Sequence, residues 1–273
     1  MIQDIAPKKL YNEYQEKTIG DRDFVLVFYK NQLWIKKQEK EICFPRYEEV
    51  RESLQQNSPI YLFRVDETNY FLAEATEWNQ KDGELVSLHQ VRGCRPKEYV
   101  LAAATAWHLY VWYKDNHFCG RCGSETVRDT RERMLFCPHC GNRIYPKIAP
   151  AVIVAVTHKE HILLTQYANR TYKKYALVAG FTEIGETIEE TVKREVMEEV
   201  GLQVKNIQYY KSQPWGFDSN LLLGFFCEVD GDTDIVMDKE ELSLARWVHK
   251  SQVPIYEEHL SLTHEMMQVF RDS

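Results

Sequence analysis

The first part of the chain alternates between short hydrophobic runs and polar turns, a pattern that predicts β-strands. Four such runs are Phe24–Tyr29, Leu33–Ile35, Tyr61–Phe63 and Tyr70–Leu72. No cluster of catalytic residue types accompanies them. A longer apolar stretch follows Pro96 and predicts a helix with proline in its first turn. We therefore expect a β-rich domain over residues 1–95 and a linking helix over residues 96–117.

The second half of the chain mixes β-like runs with amphipathic helices. The β-like runs are Ala151–Val156, Ile162–Gln166, Ile207–Tyr210, Leu221–Val229 and Leu244–Val248. Thr187 and Glu190 form a capping box, so one helix should begin there and end before Gly201. Its apolar stripe is Ile188, Val192, Val196 and Val200. With a last helix from about residue 257 to 271, this pattern predicts an α/β sandwich over residues 147–273.

Two Cys-x-x-Cys pairs lie between these regions. Their members are Cys119, Cys122, Cys137 and Cys140. A glycine after each pair permits a tight turn, and four thiolates leave Zn²⁺ no position for water, so we predict a structural zinc ribbon over residues 118–146. A redox dithiol is the alternative, although it usually has a single pair at the start of a helix. Zinc ribbons also occur in nucleic-acid-binding proteins, so a binding module remains a second class of function.

Charge and hydropathy narrow the possible functions and locations of the protein further. The net charge of −7 argues against a general nucleic-acid binder. Residues 111–149 nevertheless contain seven Lys and Arg against four Asp and Glu, an excess that could steer an anionic substrate. The chain shows no signal peptide, and its longest apolar stretch, around residues 101–113, is too short to cross a bilayer. We expect a cytoplasmic protein with no membrane partner.

Three glutamates share one face of the predicted helix that starts at Thr187. Glu195, Glu198 and Glu199 border its apolar stripe, although acids near a helix C-terminus oppose the helix dipole and repel one another. Such violations of local preference are expected at functional sites. Carboxylate clusters suit Mg²⁺ or Mn²⁺. In isolation, the same cluster would indicate only a solvated charged face.

These glutamates do not occur in isolation. The stretch from Gly180 to Leu202 resembles the Nudix box G-x5-E-x7-R-E-U-x-E-E-x-G-U at every fixed position, where U is an aliphatic residue. The Nudix resemblance implies an α/β/α sandwich with a mixed sheet and metal-dependent hydrolysis of a diphosphate linked to a nucleoside. It assigns metal binding to Glu195 and Glu199, an additional ligand to Glu198, a supporting carboxylate to Glu186 and the orienting cation to Arg194.

The order of zinc ribbon, Tyr145–Pro150, Nudix box and Ser212–Phe217 resembles the NADH pyrophosphatase branch, whose members also remove NAD caps from RNA. That branch carries a marker, SQPWPFPxS, that helps to form the substrate pocket. The resemblance assigns substrate binding to Gln213, Pro214, Trp215, Gly216, Phe217, Asp218, Ser219 and Asn220. Gly216 and Asp218 replace prolines of the marker, and Asn220 replaces its final serine, so we expect a looser pocket with some activity on other diphosphates.

The same resemblance implies further site residues and partners. It assigns nicotinamide stacking to Phe181, substrate contacts to Tyr145 and Thr263, and metal binding to the carbonyl of Ala179 and to Glu241. It also implies a dinucleotide substrate, the products NMN(H) and AMP, and a homodimer. Another X-linked diphosphate, such as ADP-ribose or a nucleotide sugar, is the alternative substrate. A zinc-ribbon nucleic-acid module with a degenerate Nudix domain is disfavoured, because no catalytic position of the box is missing.

Overall fold

The computed structural model describes residues 1–54, 58–168, 174–256 and 260–273. The chain forms two compact units. The N-terminal unit comprises residues 3–147 and 215–219, and the C-terminal unit comprises residues 1–2, 148–214 and 220–273. No helix in the described ranges is long and apolar enough to cross a membrane.

The N-terminal unit is built around a seven-stranded sheet of order β1-β5-β6-β2-β3-β4, with β7 paired to β3. Its strands are β1 Leu10–Tyr11, β2 Phe24–Tyr29, β3 Gln32–Gln38, β4 Glu41–Cys43, β5 Ile60–Val65, β6 Thr68–Glu74 and β7 Glu84–Val86. Its helices are α1 Tyr47–Val50, α2 Leu88–Val91 and α3 Lys97–Asp115. All four predicted strands fall on observed ones, and the N-terminal region is β-rich as expected.

Helix α3 packs on this sheet. Pro96 is its N-cap, where the missing N–H costs no helical hydrogen bond. The ring of Tyr110 stacks on Phe28 of β2 with centroids 4.3 Å apart, and its hydroxyl donates to Glu74 of β6 at 2.9 Å. The helix is therefore part of the core of the N-terminal unit.

A small three-stranded sheet follows α3. Its strands, in the order β10-β9-β8, are β8 Val127–Arg128, β9 Leu135–Phe136 and β10 Arg143–Ile144. Arg133 joins this sheet to the rest of the N-terminal unit, because its Nη2 donates to the carbonyl of Leu62 in β5 at 2.7 Å.

The C-terminal unit contains a six-stranded mixed sheet of order β14-β15-β11-β12-β16, with β13 paired to β11. Its strands are β11 Ala149–His158, β12 His161–Tyr167, β13 Val178–Phe181, β14 Val204–Trp215, β15 Asn220–Val229 and β16 Leu242–His249. Its helices are α4 Ile188–Val200 and α5 Leu262–Asp272, with a 3₁₀ turn at Lys250–Gln252. Strands β11 and β15 run parallel and the other described pairs run antiparallel.

Both faces of this sheet are covered. Alternate residues of β11 point to opposite faces, so Val152 and Val154 join the core beneath α4, whereas Ile153 and Ala155 join the core beneath α5. The predicted α/β/α sandwich with a mixed sheet is confirmed.

The boundaries of α4 also agree with the sequence. The hydroxyl of Thr187 accepts from the N–H of Glu190, and Gly201 ends the helix with a positive φ of 70°. Strand β14 is longer than the predicted run at residues 207–210, because its polar outer positions hide the pattern. Helix α5 begins at Leu262 after the N-cap Ser261, while residues 257–259 of the predicted helix lie outside the described residues.

Candidate active site and cysteine cluster

Four sulfur atoms converge at the two knuckles of the small sheet. The Sγ atoms of Cys119, Cys122, Cys137 and Cys140 all lie within 4.8 Å of one another. The Cys119–Cys140 pair is separated by 3.6 Å and the Cys122–Cys137 pair by 3.5 Å. Tetrahedral Zn²⁺ with Zn–S bonds of about 2.3 Å requires sulfurs about 3.8 Å apart. The geometry therefore fits a structural zinc ion.

The backbone of each knuckle supports thiolate ligands. Gly123 and Gly141 adopt positive φ values of 75° and 72°, which closes the turn after each Cys-x-x-Cys pair. Backbone N–H donors lower the pKa of Cys119 and, through Ser124, lower the pKa of Cys122 to about 5. The backbone of Asn142 likewise lowers the pKa of Cys140, but burial and hydrogen bonds to the other three cysteines outweigh it and raise that pKa to about 12. The deprotonated thiolate is the form that binds metal.

In the C-terminal unit, helix α4 buries two of its three predicted metal ligands. Glu195 and Glu199 lie beside the apolar stripe and are buried, whereas Glu198 is exposed. Burial raises the pKa of Glu199 to about 8 and shifts that of Glu195 in the same direction. The charge of the exposed Glu241 also raises the pKa of both residues, so it acts on the same site.

Arg194 holds the carboxylates of this site in place. Its Nε donates to Glu186 at 2.6 Å, and its Nη1 donates to Glu195 at 2.8 Å and to Glu198 at 2.9 Å. Its Nη2 donates to the carbonyl of Phe181 at 2.8 Å. The hydrogen bond from Arg194 is the largest cause that lowers the pKa of Glu186, to about 2. One planar guanidinium thus orders three carboxylates and the end of β13.

The two carboxylate oxygens of Glu199 differ in their hydrogen bonding. Its Oε1 accepts from the N–H of Ala179 at 3.2 Å, while its buried Oε2 has no hydrogen-bond partner among the described residues. Buried polar atoms are normally paired, so an unpartnered carboxylate oxygen here fits a cation ligand. The carboxylates are spread more widely than the cysteines, since the cysteines form the only described group of three or more such ligands within 4.8 Å.

Two features of this site show why particular residues are needed. A Cβ on Gly180 would lie 1.9 Å from the side-chain carboxyl carbon of Glu195, so glycine leaves the room that this carboxylate occupies beside β13. Thr191, which sequence reasoning missed, is fully buried and its hydroxyl donates to Glu186 at 2.9 Å. Nothing in the spacing of the box distinguished Thr191 from its neighbours.

The predicted substrate contacts outside the marker differ in exposure. Phe181 is 54% exposed at the end of β13, as a stacking residue requires. In the N-terminal unit Tyr145 is 52% exposed, and its hydroxyl donates to Glu132 at 2.8 Å. Thr263 lies partly exposed in the first turn of α5.

The marker segment is more buried than a free binding surface would be. Gln213 is fully buried, and its amide bonds to the carbonyl of Leu260 and the N–H of Leu262, which fixes the start of α5. Trp215, Gly216 and Phe217 are buried, whereas Pro214 and Asp218 are exposed and Ser219 is partly exposed. Asn220 is buried, and its Oδ1 has no partner among the described residues.

Sequence comparisons identify three regions of the chain by family. Residues 147–268 match the family profile described as NUDIX domain, and residues 114–145 match the NADH pyrophosphatase zinc ribbon domain. Residues 22–112 match the NADH pyrophosphatase-like rudimentary NUDIX domain. An NAD-capped RNA hydrolase NudC of Photorhabdus laumondii is 36% identical over 184 residues, which cover 67% of this chain and 71% of the relative.

The chain belongs to the NADH pyrophosphatase branch of the Nudix family. Another member, the NAD-capped RNA hydrolase NudC of Pectobacterium atrosepticum, is 46% identical over 146 residues. That match covers 54% of this chain, and the chain spans only 56% of the length of this relative. A Nudix hydrolase structure from Nitrosomonas europaea shares the fold, with a TM-score of 0.50 and 23% identity over 57% of this chain and 90% of that one. The predicted family and fold class are confirmed.

Proposed function

We propose that this protein hydrolyses the diphosphate bond of NADH and NAD⁺ to give NMN(H) and AMP, and that it removes NAD caps from RNA by the same reaction. The observation that carries the proposal is the site around Arg194, where every acidic position of the Nudix box is filled and no described residue hydrogen-bonds the buried Oε2 of Glu199. Membership of the NADH pyrophosphatase branch supports NAD-type dinucleotides as the substrate class.

The donor set suits Mg²⁺ or Mn²⁺, because all of its members are hard oxygen ligands. The proposed ligands are Glu195, Glu198, Glu199, Glu241 and the carbonyl of Ala179. When bound, such ions would neutralise the diphosphate and lower the pKa of a water molecule.

The residues of the chain contribute orientation and proton transfer. Arg194 fixes the carboxylates of Glu186, Glu195 and Glu198, so they need not reorganise when the substrate binds. A glutamate of this set accepts the proton of the attacking water. The N–H of Ala179 donates to Oε1 of Glu199, which fixes one oxygen of that carboxylate.

Recognition of the dinucleotide is proposed to involve exposed Phe181 as the stacking ring, with contacts from Tyr145, Thr263 and the marker residues 213–220. Resemblance to the branch also supports a homodimer, and the seven free cysteines of the chain support a reducing compartment such as the cytoplasm.

A substrate panel tests this proposal. We expect wild-type protein to prefer NADH and NAD-capped RNA over ADP-ribose and a nucleotide sugar, with products identified by mass. Because base stacking contributes about 1 to 3 kcal/mol, Phe181→Ala should lower kcat/KM for NADH by roughly ten- to a hundredfold. ADP-ribose, which lacks nicotinamide, should respond much less.

Tyr209→Ala is the matched control, since Tyr209 is a similarly exposed aromatic residue (57%) of the same unit. It should leave all substrates unaffected. A preference for the nucleotide sugar, or equal damage to every substrate by Phe181→Ala, would contradict the NADH assignment and leave only general Nudix hydrolysis.

A further inference from the structure

The marker turn at residues 215–219 is docked on helix α3, within the N-terminal unit. The N–H of Asp218 bonds to the carbonyl of Trp215 at 3.3 Å, which closes the turn around Gly216. A Cβ on Gly216 would lie 2.2 Å from the carbonyl oxygen of Ala104 and 2.7 Å from its carbon. Both atoms are helix backbone, so no side-chain rotation could relieve the clash. Glycine is what allows this contact.

The indole of Trp215 is held by three neighbours in the same unit. Its Nε1–H donates to Oδ2 of Asp218 at 3.0 Å. The guanidinium of Arg92 lies 4.9 Å from the ring centroid, and the ring of Phe217 lies 4.8 Å away at an angle of 45°. With only 8% of its surface exposed, the ring has little freedom to change rotamer.

The approach to α3 and the hydrogen bond to the indole depend on the two residues that replace prolines of the branch marker. A proline at position 216 would carry a Cβ into the carbonyl of Ala104, and a proline at position 218 would have no oxygen to accept from the indole. The expected looser pocket is therefore not what the turn shows. The rigidity that two prolines would supply to the backbone is replaced by docking on α3 and by a hydrogen bond to a carboxylate.

We propose that Gly216 and Asp218 are positioning residues, and that the N-terminal unit, through α3 and Arg92, is the scaffold that fixes Trp215 for dinucleotide recognition. The proposal rests on the proposed function for its substrate. The proposal assigns the N-terminal unit a role in substrate specificity. It also assigns Arg92, which sequence reasoning missed, a role in positioning Trp215.

The indole N–H resonances test the positioning directly. The protein has six tryptophans, and the resonance of Trp215 is identified by its loss in Trp215→Phe. Asp218→Ala should shift that resonance and raise KM for NADH about three- to tenfold with little change in kcat, because one hydrogen bond that orders the binding surface is lost. Asp218→Asn retains an acceptor oxygen and should restore most of both values.

Two references make the measurement specific. The indole of Trp247 donates to the carbonyl of Thr233 at 2.9 Å in the C-terminal unit, so its resonance should not move. Gly216→Ala should disturb the Trp215 resonance, whereas Gly20→Ala should not, because a Cβ on Gly20 meets only Oδ2 of Asp23, at an ordinary 3.5 Å.

The double variant Gly216→Pro/Asp218→Pro restores the two prolines of the branch marker and is the most severe test. We expect a displaced Trp215 resonance and a higher KM than wild type. An unchanged resonance in Asp218→Ala, or an unchanged KM in both Asp218→Ala and the double variant, would overturn the proposal. Failure of the proposed function can be told apart from failure of this proposal. If the enzyme prefers a nucleotide sugar, the variants should still shift the indole resonance of Trp215 and raise KM for that substrate.

Discussion

The cysteine cluster of the ribbon and the glutamate cluster of α4 are both suited to metal ions, yet they are prepared for them in opposite ways. The four cysteines already lie within 4.8 Å of one another, and glycine turns hold them there. The glutamates are instead ordered by Arg194, which donates hydrogen bonds to Glu186, Glu195 and Glu198. The four cysteines can fill every coordination position of a zinc ion. The glutamates are ordered by hydrogen bonds, but they do not form a complete set of ligands.

This difference is the one expected between a structural zinc site and the proposed catalytic site. Four thiolates saturate tetrahedral zinc, so nothing else can bind. Carboxylates that share an arginine leave coordination positions for water and for substrate phosphates, which is how Mg²⁺ is commonly bound in enzymes. Within the described part of the chain, the buried Oε2 of Glu199 lacks a hydrogen-bond partner, so we expect the proposed site to depend strongly on this residue.

The largest effect is expected at Glu199. Glu199→Gln keeps the volume of the side chain but removes its charge from the proposed metal site, and we expect kcat for NADH to fall by roughly two to four decades with the fold intact. Circular dichroism and single-turnover rates at saturating Mg²⁺ would measure this. Glu189→Gln, at an exposed position of the same helix, is the control and should be neutral. Near-normal turnover of Glu199→Gln would show that this carboxylate is not a ligand or base.

A smaller effect is expected when lysine replaces Arg194, because the positive charge is kept but the planar guanidinium is lost. In Arg194→Lys a single ammonium group replaces a guanidinium that contacts three carboxylates and the carbonyl of Phe181. We expect kcat/KM to fall by about ten- to a hundredfold, mainly through kcat, because the glutamates are no longer oriented. Lys193→Arg, at the exposed neighbouring position, controls for the exchange. If Arg194→Lys proved as active as wild type, charge alone would be sufficient and the orienting role would be wrong.

Much of this site could be predicted from the sequence, because its geometry is local. The spacing of Thr187, Glu190 and the apolar stripe determines where α4 begins and which acids share its face, and the structure agrees. The cysteine spacing likewise places four sulfurs together. In both cases the ligands lie on short segments whose backbone conformation follows from their own residues.

What could not be predicted depends on contacts between distant segments. The approach of Gly216 to Ala104 and of Trp215 to Arg92 requires the tertiary structure of the N-terminal unit, and no periodicity reports it. The loss of two prolines predicts a looser pocket from sequence alone, whereas the contacts of Gly216 and Trp215 are the basis for our proposal that packing supplies the rigidity. Gln213 shows the same limit, since its buried amide is used to hold the start of α5.

The smallest effect on the chemical step, and the largest on stability, is expected at the ribbon. Cys119→Ser removes a buried thiolate from the closed site, and thiolate ligation couples zinc binding to folding. We expect wild-type protein washed with a weak chelator to retain one zinc per chain. The variant should lose zinc and lower Tm by roughly 10 °C or more, while kcat per folded molecule changes by less than about twofold. Cys94→Ser, at a cysteine outside the cluster, should retain both zinc and Tm. The absence of zinc from the wild type in elemental analysis would contradict the structural zinc site. A loss of kcat in Cys119→Ser as large as that in Glu199→Gln would contradict the distinction between the two clusters.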